Sequence, residues 1–147
     1  MRIAIINGPN LGRLGRRQPE VYGADSWQGL YARLEERWTP LGVMLESFQS
    51  NHEGALVDYV EQLEDNGVAG LIINPGALTH QSYVMRDALA ALNLPIIEVH
   101  LTNIHAREEF RHVSVTAPVV WGQIVGLGAV VYELAVEALW QRLGTHG

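Results

Sequence analysis

Five short apolar runs, separated by polar breaks and by stretches of helical spacing, leave this chain few folds to adopt. Arg2 to Asn7 is the first and is halted by Gly8-Pro9. Gly42 to Gln49, Gly70 to Asn74, Pro95 to Leu101 and a run around Ala117 to Val125 follow. A strand with one wet face alternates apolar and polar residues, whereas nearly continuous apolar strands are covered on both faces, as in parallel sheets. Between the runs, apolar residues recur at helical spacing. Leu30, Leu34 and Trp38 follow a cap at Asp25 or Ser26. Leu56, Val57, Val60 and Leu63 follow a Ser50/Glu53 capping box and are closed by Asp65-Asn66-Gly67. Further helices are expected over about Gln81 to Leu92 and Gly128 to Leu143. The β-α order predicts an α/β, flavodoxin-like fold: a five-stranded parallel doubly wound sheet with helices on both faces. Residues 1–147 read as a single catalytic domain.

Composition narrows the chemistry. All ten basic residues are Arg, so a Schiff-base lysine, pyridoxal phosphate attachment and a P-loop lysine are excluded. With no Cys there is no disulfide, thiolate nucleophile or Cys-ligated metal, which fits a cytoplasmic protein. A net charge of -6 opposes binding to nucleic acid or to an anionic membrane. The apolar run Ile3 to Ile6 is too short for a secretory signal. Val113 to Tyr132 is 20 residues without a charge, but Pro118, Gln123 and three Gly favour a buried strand leading into a helix over a membrane span.

The chemistry concentrates in Glu98 to His112, fifteen residues holding three His, two Arg, three Glu and an Asn at the end of the fourth strand. In an open α/β sheet, ligands bind at the carboxyl edge. Glu98 and His100 are two apart on a strand and share a face; a carboxylate beside an imidazole fixes its tautomer and suits it to general acid work. His100, His105 and His112 lack the spacing of known zinc motifs, so no metal is expected. Arg107 and Arg111, placed i and i+4 on a short helical turn, serve either as an ion-paired face with Glu108 and Glu109 or as ligands for substrate oxygens. The loops after strands one, three and four should meet in one crevice. The segment from about 10 to 24, with three Gly and three Arg (Arg13, Arg16, Arg17), reads as a mobile lid over an acidic ligand. Tyr59, Tyr83 and Tyr132 read as packing, and Gly126-Leu127-Gly128 as close helix-sheet contact.

Taken together, Asn7-Gly8-Pro9-Asn10-Leu11, Arg17-Gln18-Pro19 through Tyr22-Gly23, Gln49 to Gly54, Asn74-Pro75-Gly76 with Thr79-His80, Arg86-Asp87 and Glu98 through His112 resemble type II 3-dehydroquinate dehydratase over nearly the whole chain. The resemblance implies dehydration of 3-dehydroquinate to 3-dehydroshikimate through an enolate, with no cofactor and no metal, in a homododecamer built as a tetramer of trimers. It implies Tyr22 as base, Arg17 as the cation that keeps Tyr22 ionisable, His100 as acid supported by Glu98, and Asn10 as holder of an enolate-stabilising water. Asn74 and the backbone donors of Leu101 and Thr102 resemble the carboxylate site. His80, Arg86 and Arg111 resemble residues that meet ring hydroxyls and order the site, and Asp87 one that enters a neighbouring subunit's site. Two positions depart from the family pattern: Val131 before Tyr132, and Gly12 in the lid. A Tyr working as a base near neutrality must titrate about three units below its usual value, a cost of about 4 kcal/mol. One guanidinium about 4 Å away, at an effective dielectric near 20, supplies about that much. The rival readings are a flavodoxin-like binding module and an inactive homologue that binds small anions or serves assembly.

Overall fold

Ile3, Ala4, Ile5 and Ile6 are all fully buried, so β1 (Arg2–Asn7) is covered on both faces. It is joined by β2 (Met44–Gln49), β3 (Gly70–Asn74), β4 (Ile96–His100) and β5 (Gly122–Val125) in one parallel sheet of order β2-β1-β3-β4-β5. The computed structural model describes residues 1–13 and 26–144. The expected lid therefore lies outside the described residues beyond Arg13. Every residue of β3 and β4 is buried, while the edge strands β2 and β5 are only partly covered.

Among the described residues four helices cover the sheet: α1 (Trp27–Trp38), α2 (Glu53–Gln62), α3 (Tyr83–Ala90) and α4 (Val130–Gly144). Side-chain alternation along each strand assigns the faces. Ile3, Ile5, Ile72, Ile97 and Val99 pack against α1 and α4, through Leu34, Trp38, Tyr132, Val136 and Leu139. Ala4, Ile6, Leu71, Ile73 and Ile96 pack against α2 and α3, through Leu56, Val60, Met85 and Leu89. Burying each such Leu or Ile side chain contributes about 1.5–3 kcal/mol relative to exposure. Val131 is fully buried in the α4 face, so that departure lies in the core.

Local signals hold unevenly. Ser26 caps α1, its Oγ accepting from Gly29 N at 3.1 Å. The Ser50/Glu53 capping box does not form. The helix starts at Glu53 with His52 at the cap position and no side-chain cap. Ser50 Oγ accepts from His52 N instead, and the Glu53 carboxylate accepts from Ser82 Oγ at 2.6 Å. Ser82 in turn caps α3 through Met85 N, so an interhelical bond has displaced the local motif. The third helix begins at Tyr83 rather than Gln81 because Gly76–His80 forms a 3-10 turn. β5 is likewise shorter than expected, since Ala117–Val119 is also a 3-10 turn.

The order of strand addition reverses between β1 and β3, the switch point where a crevice opens at the strands' carboxyl ends.

Candidate active site

Asn7 and Asn74 end β1 and β3 side by side in register. Both side chains are buried, and one hydroxyl serves them. Tyr132 Oη on α4 donates to Asn7 Oδ1 at 2.6 Å and accepts from Asn74 Nδ2 at 3.0 Å. Asn74 Oδ1 accepts from Gly76 N at 3.2 Å, which fixes the carboxamide's orientation. Burial pushes the Tyr132 hydroxyl's pKa well above its usual range, outweighing the Asn74 hydrogen bond that lowers it. Tyr132, expected as packing, is therefore also the polar support under Asn74.

The two loops after these strands touch. Gly8 N donates to Asn74 O at 2.8 Å, and a Cβ on Gly8 would lie 2.6 Å from Pro75 O, so only glycine fits. Asn10 turns in the left-handed region at φ 71°, its amide donating to Asn51 Oδ1 at 2.9 Å.

On the opposite sheet face lies Glu98, fully buried. Its Oε2 accepts from His100 Nε2 at 2.7 Å, Gln123 Nε2 at 2.6 Å, Thr79 Oγ1 at 3.0 Å and Ser114 Oγ at 3.4 Å. Thr116 Oγ1 donates to Oε1. Burial raises the Glu98 pKa, but the His100, Thr116 and Thr79 hydrogen bonds and the attraction of His100 outweigh it, leaving the carboxyl below its ordinary value. The carboxylate is thus ionised and acceptor-only, so His100 Nε2 carries the proton and Nδ1 is the nitrogen left for a ligand.

After β4 the chain forms two 3-10 turns, Ile104–Ala106 and Glu109–Arg111, with Arg107 extended between them. Arg107 and Arg111 are therefore not on one helical turn as expected. Both nevertheless reach the same cavity. It measures ≈ 210 Å³ and is lined by Pro9, Asn10, Leu11, Asn74, Gly76, Ala77, His80, His100, Leu101, Thr102, Ile104, Arg107 and Arg111. Arg111 pairs with Glu108 at 2.9 Å and lies over Phe110. Arg107 Nη1 donates to Thr102 Oγ1 at 3.4 Å. His80 Nδ1 donates to Val113 O at 2.7 Å, leaving Nε2 for a ligand. Two cations, two imidazoles and two carboxamides around a small cavity suit an anionic, hydroxylated ligand.

Seven of the expected residues thus meet: Asn10, Asn74, His80, His100, Leu101, Thr102 and Arg111. Glu98 stands behind His100. Arg86 stays off the cavity and donates to Val115 O at 3.1 Å, between the Ser114 and Thr116 that bind Glu98. Asp87 faces a separate exposed groove with Glu61, Glu64 and Asp65. Tyr22 and Arg17 lie outside the described residues. His100, His105 and His112 do not converge. His112 Nε2 bonds Arg107 O, and the His105 and His112 rings stand 6.2 Å apart.

A sequence model of the family described as dehydroquinase class II matches residues 1–140. The chain belongs to that family. It is 56% identical over 147 residues to the 3-dehydroquinate dehydratase of Roseiflexus castenholzii, spanning 100% of this chain and 91% of that one. To the 3-dehydroquinate dehydratase of Halalkalibacterium halodurans it is 53% identical over 137 residues, 93% of this chain and 94% of the other. The crystal structure of a type II dehydroquinase from Butyrivibrio crossotus superposes with a TM-score of 0.92 at 47% identity, over 95% of this chain and 97% of that one. The family fold and the flavodoxin-like strand order therefore coincide.

Sequence reading missed the hydroxyls of Thr79, Ser114 and Thr116 and the amide of Gln123 as partners of Glu98. A signal was present: Ser114 and Thr116 are two apart inside the uncharged Val113 to Tyr132 stretch, where buried hydroxyls need partners.

Proposed function

We propose that this chain is a 3-dehydroquinate dehydratase that eliminates water from its substrate in the anti sense, through an enolate, to give 3-dehydroshikimate. Tyr22 removes the proton beside the ketone, with Arg17 holding that phenol ionisable. The electron pair collapses to the enolate, whose oxygen is stabilised by a water on Asn10. As the enone forms, the departing hydroxyl takes a proton from His100 and leaves as water.

The observation that carries this reading is the convergence of His100, backed by Glu98, with an anion-binding wall in one cavity. With Nε2 fixed on Glu98, His100 exchanges its proton through Nδ1. An ionised Glu98 stabilises the imidazolium that must precede proton donation. Asn74 and the backbone of Leu101 and Thr102 bind the carboxylate, while His80 and Arg111 meet the ring hydroxyls and Arg86 orders the loop at Val115 behind them.

The assembly is a cytoplasmic homododecamer, a tetramer of trimers, in which Asp87 enters a neighbouring subunit's site. The exposure of Asp87 outside its own cavity, beside exposed Tyr83 and Val84, supports this, and sedimentation velocity tests it. No helix among the described residues is long and apolar enough to cross a membrane.

The decisive experiment follows ultraviolet absorbance with purified protein and 3-dehydroquinate, once in chelator and once with protein that has been treated with substrate plus borohydride and freed of the reagent. Growth of the conjugated-enone band is expected under both conditions. Folded oligomer that produces no band would refute the activity, and inactivation by chelator or borohydride would refute a metal-free or imine-free route.

A further inference from the structure

Among the described residues only Asn10 and Leu127 combine a side chain with a left-handed backbone. For Asn10 that conformation competes with more favourable right-handed and extended ones, so something must hold it. The holder is Asn51, just beyond β2. Asn51 Oδ1 accepts the Asn10 amide at 2.9 Å and Gln49 Nε2 at 3.3 Å, and the same Gln49 nitrogen donates to Gly8 O at 3.2 Å. Gln49 pairs with Asn7 in the β1-β2 register, so the cluster is rooted on the sheet. Gly12 completes it. A Cβ there would stand 3.0 Å from Gln49 Oε1 and 3.2 Å from its Cδ, which would push the Gln49 side chain off its partners.

We propose that Asn51, with Gln49, is a positioning residue for catalysis: its side-chain oxygen locks Asn10 in the left-handed conformation and so sets where the Asn10 carboxamide stands at the cavity wall. This rests on the proposed role of Asn10 in stabilising the enolate. Without the acceptor, Asn10 relaxes toward negative φ. The turn at Gly8 to Leu11 then changes course, and the carboxamide leaves its place among the cavity-lining groups. The loss falls on the chemical step, because Asn74, His80 and the two arginines remain to bind substrate. Both contacts of Asn51 use only an accepting oxygen, so an aspartate at that position performs the same task.

The test compares steady-state kinetics of Asn51→Ala, Asn51→Asp, Asn10→Ala and the Asn10→Ala/Asn51→Ala double variant, with thermal melts as a folding control. Asn51→Ala is expected to lower kcat about tenfold with KM within about twofold, and Asn51→Asp to restore kcat. In the Asn10→Ala background the second change should add nothing, since its effect passes through Asn10. Full activity of Asn51→Ala beside an impaired Asn10→Ala overturns the proposal and leaves the role of Asn10 standing. Equal losses in both backgrounds, or no rescue by aspartate, reduce Asn51 to a structural residue and also overturn it. Undiminished activity of Asn10→Ala removes the reading beneath the proposal, and the proposal with it.

Discussion

Replacing Tyr132 by Phe removes one oxygen atom and leaves the ring against Trp27, 5.0 Å away. What it leaves behind is two orphans. Asn7 Oδ1 loses its donor and Asn74 Nδ2 its acceptor, in side chains only 2% and 3% exposed. A buried polar group without a partner costs about 1–3 kcal/mol. Two of them, less the relief of no longer burying the hydroxyl, come to about 2–3 kcal/mol at pH 7. For a chain of this length that is a fall in Tm of about 5–10 °C. The pH dependence separates lost hydrogen bonds from a packing defect. Burial raises the Tyr132 pKa above its unfolded value near 10, so the hydroxyl's contribution is complete below pH 10 and is lost as pH rises through the folded value. The stability gap between wild type and Tyr132→Phe should therefore close by about 1 kcal/mol between pH 10 and 11, as the unfolded tyrosine ionises first. Urea unfolding followed by tryptophan fluorescence at pH 7, 10 and 11 measures this. A gap that is absent at pH 7, or constant to pH 11, would refute the reasoning.

Glu98→Gln should cost about 2–4 kcal/mol at pH 7, because one oxygen that accepts from four side chains becomes neutral. The Glu98 pKa is lowered in the folded chain, so its stabilisation is present above the usual 4.5 and fades as pH falls below it. Acid titration of the unfolding free energy should show the two proteins converging below that pH, and parallel curves would count against the ionised carboxylate. Gly8→Ala drives a methyl group onto the Pro75 carbonyl and should cost about 2–3 kcal/mol, read as a lower Tm; an unchanged Tm would mean the two loops are free to part. Arg17→Ala should lower kcat by about a thousandfold, the equivalent of 4 kcal/mol, while substrate binding by calorimetry weakens far less. Equal turnover would remove Arg17 from the base's environment.

The parts of this protein that could be read in its sequence are those fixed by neighbours in the chain. β1, β3 and β4 announce themselves because double-sided burial demands unbroken apolar runs. Asn74 and His100 stand out because they close apolar strands, Glu98 because it is a charge inside one, and Asn10 because it lies in the loop just beyond β1. The capping box at Ser50 and Glu53 is also a local signal, yet it fails because Ser82, 29 residues away, offers Glu53 a better donor. Distance hides the rest. Thr79, Ser114, Thr116 and Gln123 lie 16 to 25 positions from Glu98, and no periodicity links them. Tyr132 on an apolar helix face looks like every other core aromatic until its hydroxyl is seen between two asparagines. Whether Arg107 and Arg111 face solvent or ligand depended on the path of the chain between two 3-10 turns, which spacing alone does not fix.

The bond from Tyr132 to Asn7 spans 125 positions of chain. At synthesis rates of about 5–20 residues per second, roughly 6–25 s pass between the emergence of its two ends. Late in that interval the nascent chain already carries Asn10, Asn74, His80, Glu98 and His100. It lacks α4, which shares one face of the sheet with α1, and the hydroxyl that satisfies both asparagines. Until α4 is made, the apolar face it covers stays open and the two asparagines at the crevice have no common partner.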